Sequence, residues 1–316
     1  MSRVLTTLAL AVSLTACGGS SDTDANASAL RGTVKIDGSS TVFPITEAMA
    51  EEFGKLHKRV RVTVGVSGTG GGMKKFSQGE TSITGASRPI KPSEVTACAE
   101  SSVEFIELPV AYDGIAIVVN TENDFVTSIT VAELNAMWKS DSTAKTWKDI
   151  RSSWPDREFR LYAPGQDSGT FDYFTETING DGGNCRADAT FSEDDNVLVR
   201  GVSGDRDGIG FFGFAYYHEN SGVLNLVSVD GGTGPVSPDI ETIADGSYAP
   251  LSRPLYIYVS KEATDRPEVD SFVDYYLGEG SQLVGEVGYV PLPETDMSKV
   301  RARYAKRVTG VEIGGE

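Results

Sequence analysis

Apolar positions along the chain switch repeatedly between a spacing of two and a spacing of three to four. A strand pattern over 33–36 gives way to a helix over 43–56 that places Ile45, Met49, Phe53 and Leu56 on one face. β-branched alternation returns over 60–66. A short helix is predicted at 72–78 and a short strand at 83–86. The stretch 93–100 reads as a helix opened by a serine cap with proline just before it. Residues 105–112 and 115–120 read as two adjacent strands. The pattern then restarts: a helix over 130–139, capped by Thr130 with Glu133 at capping-box spacing, a strand over 159–162, and helices over 169–178 and 194–202. Strands over 209–214, 224–229 and 255–259 and a helix over 267–277 close the series. Alternating strands and helices predict an α/β protein with mostly parallel sheet, and two lobes fit this length better than one.

The first residues follow a different logic. Arg3 precedes an apolar run from Val4 to Leu14, shorter than the ~20 residues a membrane span needs. This is a secretory signal, and its ending, Leu14-Thr15-Ala16-Cys17, resembles a bacterial lipobox. Cleavage before Cys17 and lipidation of its sulfur are expected, giving a signal peptide over 1–16. The alternative is an ordinary signal peptide with an incidental cysteine. Residues 17–30, small and polar, read as a flexible tether. Export with a lipid anchor at the membrane surface follows, and the body is expected to touch the membrane through that anchor alone.

Composition narrows the function. Lys and Arg number 28 against 45 Asp and Glu, a formal charge of −17, which argues against nucleic-acid binding through a basic face. Cys98 and Cys185 are the cysteines left after Cys17. Export makes a disulfide between them reasonable, and two separate buried thiols are the alternative. With His57 and His218 they form no metal-ligand spacing and no nucleophile–base pair, so neither a metal nor an enzyme is expected.

The chemistry lies in a recurrence. Three times a strand leads through Gly, Ser and Thr into a helix: DGSSTVFP from Asp37, SGTGGGM from Ser67, and PGQDSGTF from Pro164. Each brings hydroxyls and amides to a helix N-terminus, where an anion is favoured. One such loop alone is usually only a helix cap. GTGGG lacks the acidic partner of a dinucleotide turn, and the Gly-Lys-Ser/Thr ending of a P-loop is absent. Three loops, with Ser87 and Arg88 ending a fourth strand, point to one small tetrahedral oxyanion.

The motifs IDGSSTVFPITEAMAEEF, SGTGGGMKKF, TGASRPI, ELPVAYDGIAIVVN, DSGTFDYFTE, SEDDNVLVRGVSGD and GFFGFAYYHEN run in one order from about Val34 to Tyr217. They resemble the phosphate-binding protein of bacterial high-affinity phosphate ABC transporters, the PstS type. The resemblance implies a two-lobed periplasmic-binding-protein fold of type II that closes on inorganic phosphate and delivers it to a membrane permease. It implies hinge strands near 109–114 and 253–258, a first lobe of 31–112 with 254–316, and a second of 113–253. It implies a monomer without cofactor. Ser40, Thr41, Ser67, Gly68, Thr69, Ser87 and Arg88 are the implied contacts from one lobe, and Ser168, Gly169 and Thr170 those from the other.

The match has one departure. The enterobacterial branch has an Asp where Arg88 stands here, and an Arg where Pro164 stands. The charged pair is therefore expected from Arg88 and Asp167. Phosphate carries a proton near neutral pH and sulfate does not, so a carboxylate acceptor discriminates between them. Asp167 is the expected acceptor, with Asp37 in reserve; the alternative role for Asp167 is a helix cap. Lys74 and Lys75 are expected in solvent, Glu193-Asp194-Asp195 at a helix cap, and Tyr112 and Asp113 at the hinge as structural residues. Alternative functions are a binder of another oxyanion, sulfate or molybdate, and an exported phosphate-binding surface protein without a transport role.

Overall fold

The computed structural model describes residues 30–166, 168–192 and 194–311. The expected signal peptide, Cys17, most of the tether and Asp167 lie outside the described residues. Twelve strands occur among the described residues: β1 (Gly32–Gly38), β2 (Val60–Val66), β3 (Ile83–Ala86), β4 (Phe105–Asn120), β5 (Ser128–Thr130), β6 (Arg160–Pro164), β7 (Thr190–Ser192), β8 (Gly208–Gly213), β9 (Leu224–Asp230), β10 (Pro235–Val236), β11 (Ser252–Ser260) and β12 (Val290–Pro291). Their main path runs β2-β1-β3-β11-β4-β8-β6-β7.

The first lobe is built on β2-β1-β3-β11-β4. β1 runs parallel to β2, with Ile36 opposite Val64, and parallel to β3, with Ile36 opposite Ile83. β11 is antiparallel to both β3 and β4. The second lobe continues from the other half of β4. β8 and β9 flank that half antiparallel, while β6 runs parallel to β8 and to β7. The sheets are thus mixed rather than mostly parallel, because the two strands that join the lobes run against their neighbours.

The two strands predicted at 105–112 and 115–120 are one strand of 16 residues. Its first half pairs with β11 and β12, and its second half with β8 and β9. Asp113-Gly114 reads as a break in the sequence. In the structure it is opposite Arg253 and Ser252 in the ladder, and Gly114 lies against the Ile243 side chain, where a Cβ would come within 2.5 Å. β4 and β11 are therefore the two strands that connect the lobes.

Each lobe has its own core. In the first, the helix Phe43–Leu56 buries Ile45, Met49 and Phe53, while Leu56, predicted on the same face, is exposed at the helix end; Phe53 meets Phe272 edge-on at 5.3 Å. In the second, Trp138, Phe174 and Phe211 are fully buried together. Tyr112 packs against both cores. A smaller cluster of Met73, Phe76, Phe105 and Tyr258 includes Cys98.

Cys98 and Cys185 are both free thiols. Cys98 is sealed in that small cluster, whereas Cys185 packs against the core of the other lobe, so nothing brings the sulfurs together. Burial pushes the Cys98 thiol up, and the Cys185 thiol up to about 11.

Helix starts mostly follow the sequence signals. Thr130 caps Val131–Trp138 in a capping box with Glu133. Two differ. The helix Pro92–Glu100 is capped at Lys91, whose amide donates to Glu94 at 2.8 Å, with Pro92 in the first turn rather than outside. The helix predicted from 72 begins at Gly68. It does so despite its glycines because it must lie on β1: a Cβ on Gly72 would sit 2.5 Å from Gly38 Cα.

Candidate functional site: the cleft between the lobes

β1 ends at Gly38, and the chain turns through Ser39, Ser40 and Thr41. Ser39 holds the turn. Its amide donates to Gly85 at 3.0 Å, its carbonyl accepts from Phe43 at 3.0 Å, and its hydroxyl accepts from the Thr41 amide at 3.2 Å. Ser40 and Thr41 are thereby fixed at the entrance to the helix Phe43–Leu56.

The second and third loops are laced together. The Ser87 amide donates to Thr69 Oγ1 at 3.2 Å, and the two hydroxyls lie 3.1 Å apart. On the second lobe, Ser168 caps the helix Gly169–Asn179 by accepting from the Thr170 amide at 3.2 Å.

The lobes meet where Thr41 abuts Gly169. On one side of this contact is a cavity of about 640 Å³, lined by Ser40, Thr41, Gly68, Thr69, Ser87 and Arg88 from the first lobe. Asp172, Tyr173, Glu176 and Arg253 face them. On the other side is a cavity of about 370 Å³, lined by Ser40, Ser168, Gly169, Thr170, Asp113, Tyr216 and Tyr289. The structure thus brings nearly all the predicted residues to the two cavities beside the Thr41–Gly169 contact.

Two predicted contacts are otherwise engaged. Ser67 is exposed and its hydroxyl donates to Asp37. Arg88 forms a fork with Glu94, at 2.9 and 2.8 Å. Burial works to raise the Glu94 carboxyl, but Arg88 and the Lys91 amide outweigh it and hold the group below its ordinary range. Lys75, expected in solvent, pairs with Asp37 at 2.5 Å. Burial opposes the Asp37 charge as well, and Lys75 and Ser67 overcome it, so that carboxyl is also lowered. Asp194 caps the helix Asp195–Gly204 through the Asn196 amide, as its place before a helix pattern predicts.

Arg253 is the cleft residue that the motifs miss. It is the sole charged residue of β11, and its side chain is 15% exposed. Nη2 donates to Thr41 Oγ1 at 3.0 Å and to Asp113 Oδ2 at 3.2 Å, and the guanidinium carbon stands 3.6 Å over the Tyr173 ring. Asp113, read from sequence as a hinge residue, is almost fully buried here; desolvation raises its carboxyl above the ordinary range, and Arg253 offsets only part of that. The available sequence signal is the lone cation in SRPLYIYVS, an otherwise apolar strand.

A family model described as a PBP superfamily domain matches residues 23–279. Protein SphX of Synechococcus elongatus is 51% identical over 92% of this chain and 86% of that protein. Phosphate-binding protein PstS of Staphylococcus saprophyticus is 39% identical over 94% of this chain and 92% of its own. The chain belongs to the PBP superfamily, in its PstS and SphX branch. A solved structure described as "a possible phosphate binding protein" from Planctomyces limnophilus superposes with a TM-score of 0.84. It is 44% identical and covers 88% of this chain and 99% of its own. Within the cleft both arginines are paired: Arg88 is held by Glu94, and Arg253 by Asp113.

Among the described residues no helix is long and apolar enough to cross a membrane, and no group of His, Cys, Asp and Glu is arranged to hold a metal.

Proposed function

We propose that this protein captures inorganic phosphate between its lobes outside the cytoplasm and delivers it to the membrane permease of an ABC transporter, without catalysing a reaction. The observation that carries the reading is the meeting of donor loops from both lobes at Thr41 and Gly169. PstS and SphX relatives along nearly the whole chain support it.

In this reading Ser40, Thr41, Gly68, Thr69 and Ser87 bind from the lobe of 31–112 and 254–316, and Ser168, Gly169 and Thr170 from the lobe of 113–253. Hydroxyls and helix-terminal amides spread the anion's charge without a crowd of cations. Ser67 and Arg88 join when the ligand draws them from Asp37 and Glu94. A guanidinium suits two phosphate oxygens at once. Asp167 accepts the phosphate proton. A lipid on Cys17 holds the monomer at the membrane surface.

Thermal melts of the purified protein with phosphate, sulfate and molybdate test the reading, because a ligand that binds only the folded state raises the apparent stability. Phosphate is expected to raise the midpoint and the other two to leave it in place. A shift with sulfate or molybdate alone reassigns the ligand, and no shift with any of them removes the proposal. For Asp167, the Asn variant is expected to admit sulfate in competition; unchanged rejection removes that role.

A further inference from the structure

The geometry points to Arg253 as a positioning residue that sets the direction of the Thr41 hydroxyl proton and ties the anion site to the strands joining the lobes. This rests on the phosphate-binding reading above and adds a residue that touches no ligand.

A threonine hydroxyl has one proton and two lone pairs and rotates to suit, so its partners decide where the proton points. Arg253 Nη2 occupies one lone pair of Thr41 Oγ1 at 3.0 Å. A guanidinium in a protein keeps its protons and accepts nothing, so the Thr41 proton has to leave in another direction. Thr41 is 3% exposed and lines the cleft beside Gly169. Its proton is thus available to an anion, and the neighbouring cation polarises it further.

Arg253 is itself fixed on three sides. Asp113 Oδ2 accepts from Nε at 3.3 Å and from Nη2 at 3.2 Å, and the Tyr173 ring stacks at 3.6 Å. Arg253 and Asp113 are register partners on β11 and β4, the two strands that join the lobes. Tyr173 belongs to the helix that Ser168 caps, and its hydroxyl donates to the Pro250 carbonyl at 2.7 Å. One guanidinium therefore contacts the first lobe's donor loop, the second lobe's donor helix and both connecting strands. Swinging the lobes apart separates Thr41 from Tyr173, and Arg253 then loses one of them. The full set of contacts exists only in the closed arrangement, so Arg253 favours closure as well as orienting Thr41.

The test is a double-mutant cycle read by calorimetric titration with inorganic phosphate. Arg253→Gln alone strands a buried carboxylate, so Arg253→Gln is combined with Asp113→Asn, which removes both charges and keeps hydrogen-bonding groups of similar shape. Thr41→Val, which removes only the hydroxyl, is made in the natural and in the doubly substituted chain, and a thermal melt without ligand checks that each folds. In the natural chain Thr41→Val is expected to weaken phosphate binding about tenfold or more, as loss of a charge-assisted donor should. In the double variant, already weakened, the same change is expected to cost less than about threefold, because the hydroxyl is no longer directed. Arg253→Lys, which keeps the charge and loses the fork, is expected to resemble the double variant. Equal losses from Thr41→Val in both backgrounds, or natural affinity in the double variant, overturn the inference. Should the natural chain fail to bind phosphate while melting cooperatively, the fault lies with the functional reading itself, and this inference goes with it.

Discussion

Gly169 packs so closely on Thr41 that a Cβ added to it would lie 2.5 Å from Thr41 Oγ1 and 2.7 Å from its Cα. The lobes reach each other here because one of the two residues has no side chain. Gly169→Ala is therefore expected to wedge the cleft. Overpacking of this kind costs about 1–3 kcal/mol, which here falls on the closed state and reads as roughly 5- to 150-fold weaker phosphate binding. The unfolding midpoint without phosphate should move little, since the clash is relieved by opening. Natural affinity in the alanine variant, measured by calorimetry, would show that closure does not need this contact.

Arg88 is shared between a structural partner and the proposed ligand. In this structure its guanidinium forks onto Glu94. Arg88→Ala is expected to weaken phosphate binding about 10- to 150-fold, the effect of losing hydrogen bonds to a charged group at ~1.5–3 kcal/mol. Glu94→Gln removes the competitor and is expected to hold or tighten affinity. Titration of both variants decides the matter: if Arg88→Ala binds as the natural protein does, Arg88 is only Glu94's partner.

In the second lobe, Phe174 and Phe211 stack with ring centroids 3.8 Å apart and planes 12° from parallel, with Trp138 edge-on to both. All three side chains are fully buried. Phe211→Ala is expected to cost about 3–5 kcal/mol, from lost transfer energy and the cavity left behind. Urea unfolding followed by tryptophan fluorescence measures this. A loss under about 1 kcal/mol would mean that the ring stack contributes little to stability.

The pH dependence of stability follows from opposed carboxylates. In Asp37, Glu94 and Glu133, burial opposes ionisation but the partners Lys75, Arg88 and Arg151 prevail, so each is lower than its ordinary 3.8 or 4.5 when folded. Such groups stabilise the fold fully above those ordinary values and lose that contribution as pH falls through the lowered ones. Asp113 acts in the other sense: desolvation raises it above 3.8, so its contribution is complete below that value and fades as pH rises through the raised one. Urea midpoints are thus expected to drop steeply below pH 4.5, and Glu133→Gln to make that drop shallower. A variant with the natural slope would show that the Arg151 pair is energetically silent.

Local patterns in the sequence anticipate elements whose causes are local. The helices Phe43–Leu56 and Pro267–Leu277 and the strands β2 and β3 have the bounds that periodicity predicts. The Thr130–Glu133 capping box is equally legible. What fails has distant causes. Asp113-Gly114 separates two predicted strands, yet β11 and Arg253, 140 residues away, hold it within one. The glycines after Gly68 read as loop, yet contact with β1 makes them helix. The helix Glu294–Ala305 buries only Met297, Val300 and Tyr304, too sparse a stripe to stand out. In the cleft, loops with clustered Gly, Ser and Thr announce themselves, whereas Arg253 acts through partners scattered over three elements and has no motif.

The place of β11 in the first sheet imposes an order of assembly. β11 lies between β3 and β4, but it is made of residues 252–260, after every strand of the second lobe. A chain that emerges from its amino end therefore offers β1, β2 and β3 long before the strand that joins them to β4. Until then their buried edge is open, and residues 115–230 already contain β4's second half with β8 and β9 to pair with it. The second lobe should consequently acquire protection from hydrogen exchange first, and the ligand cleft should form last, when β11 inserts and brings Arg253 to Thr41.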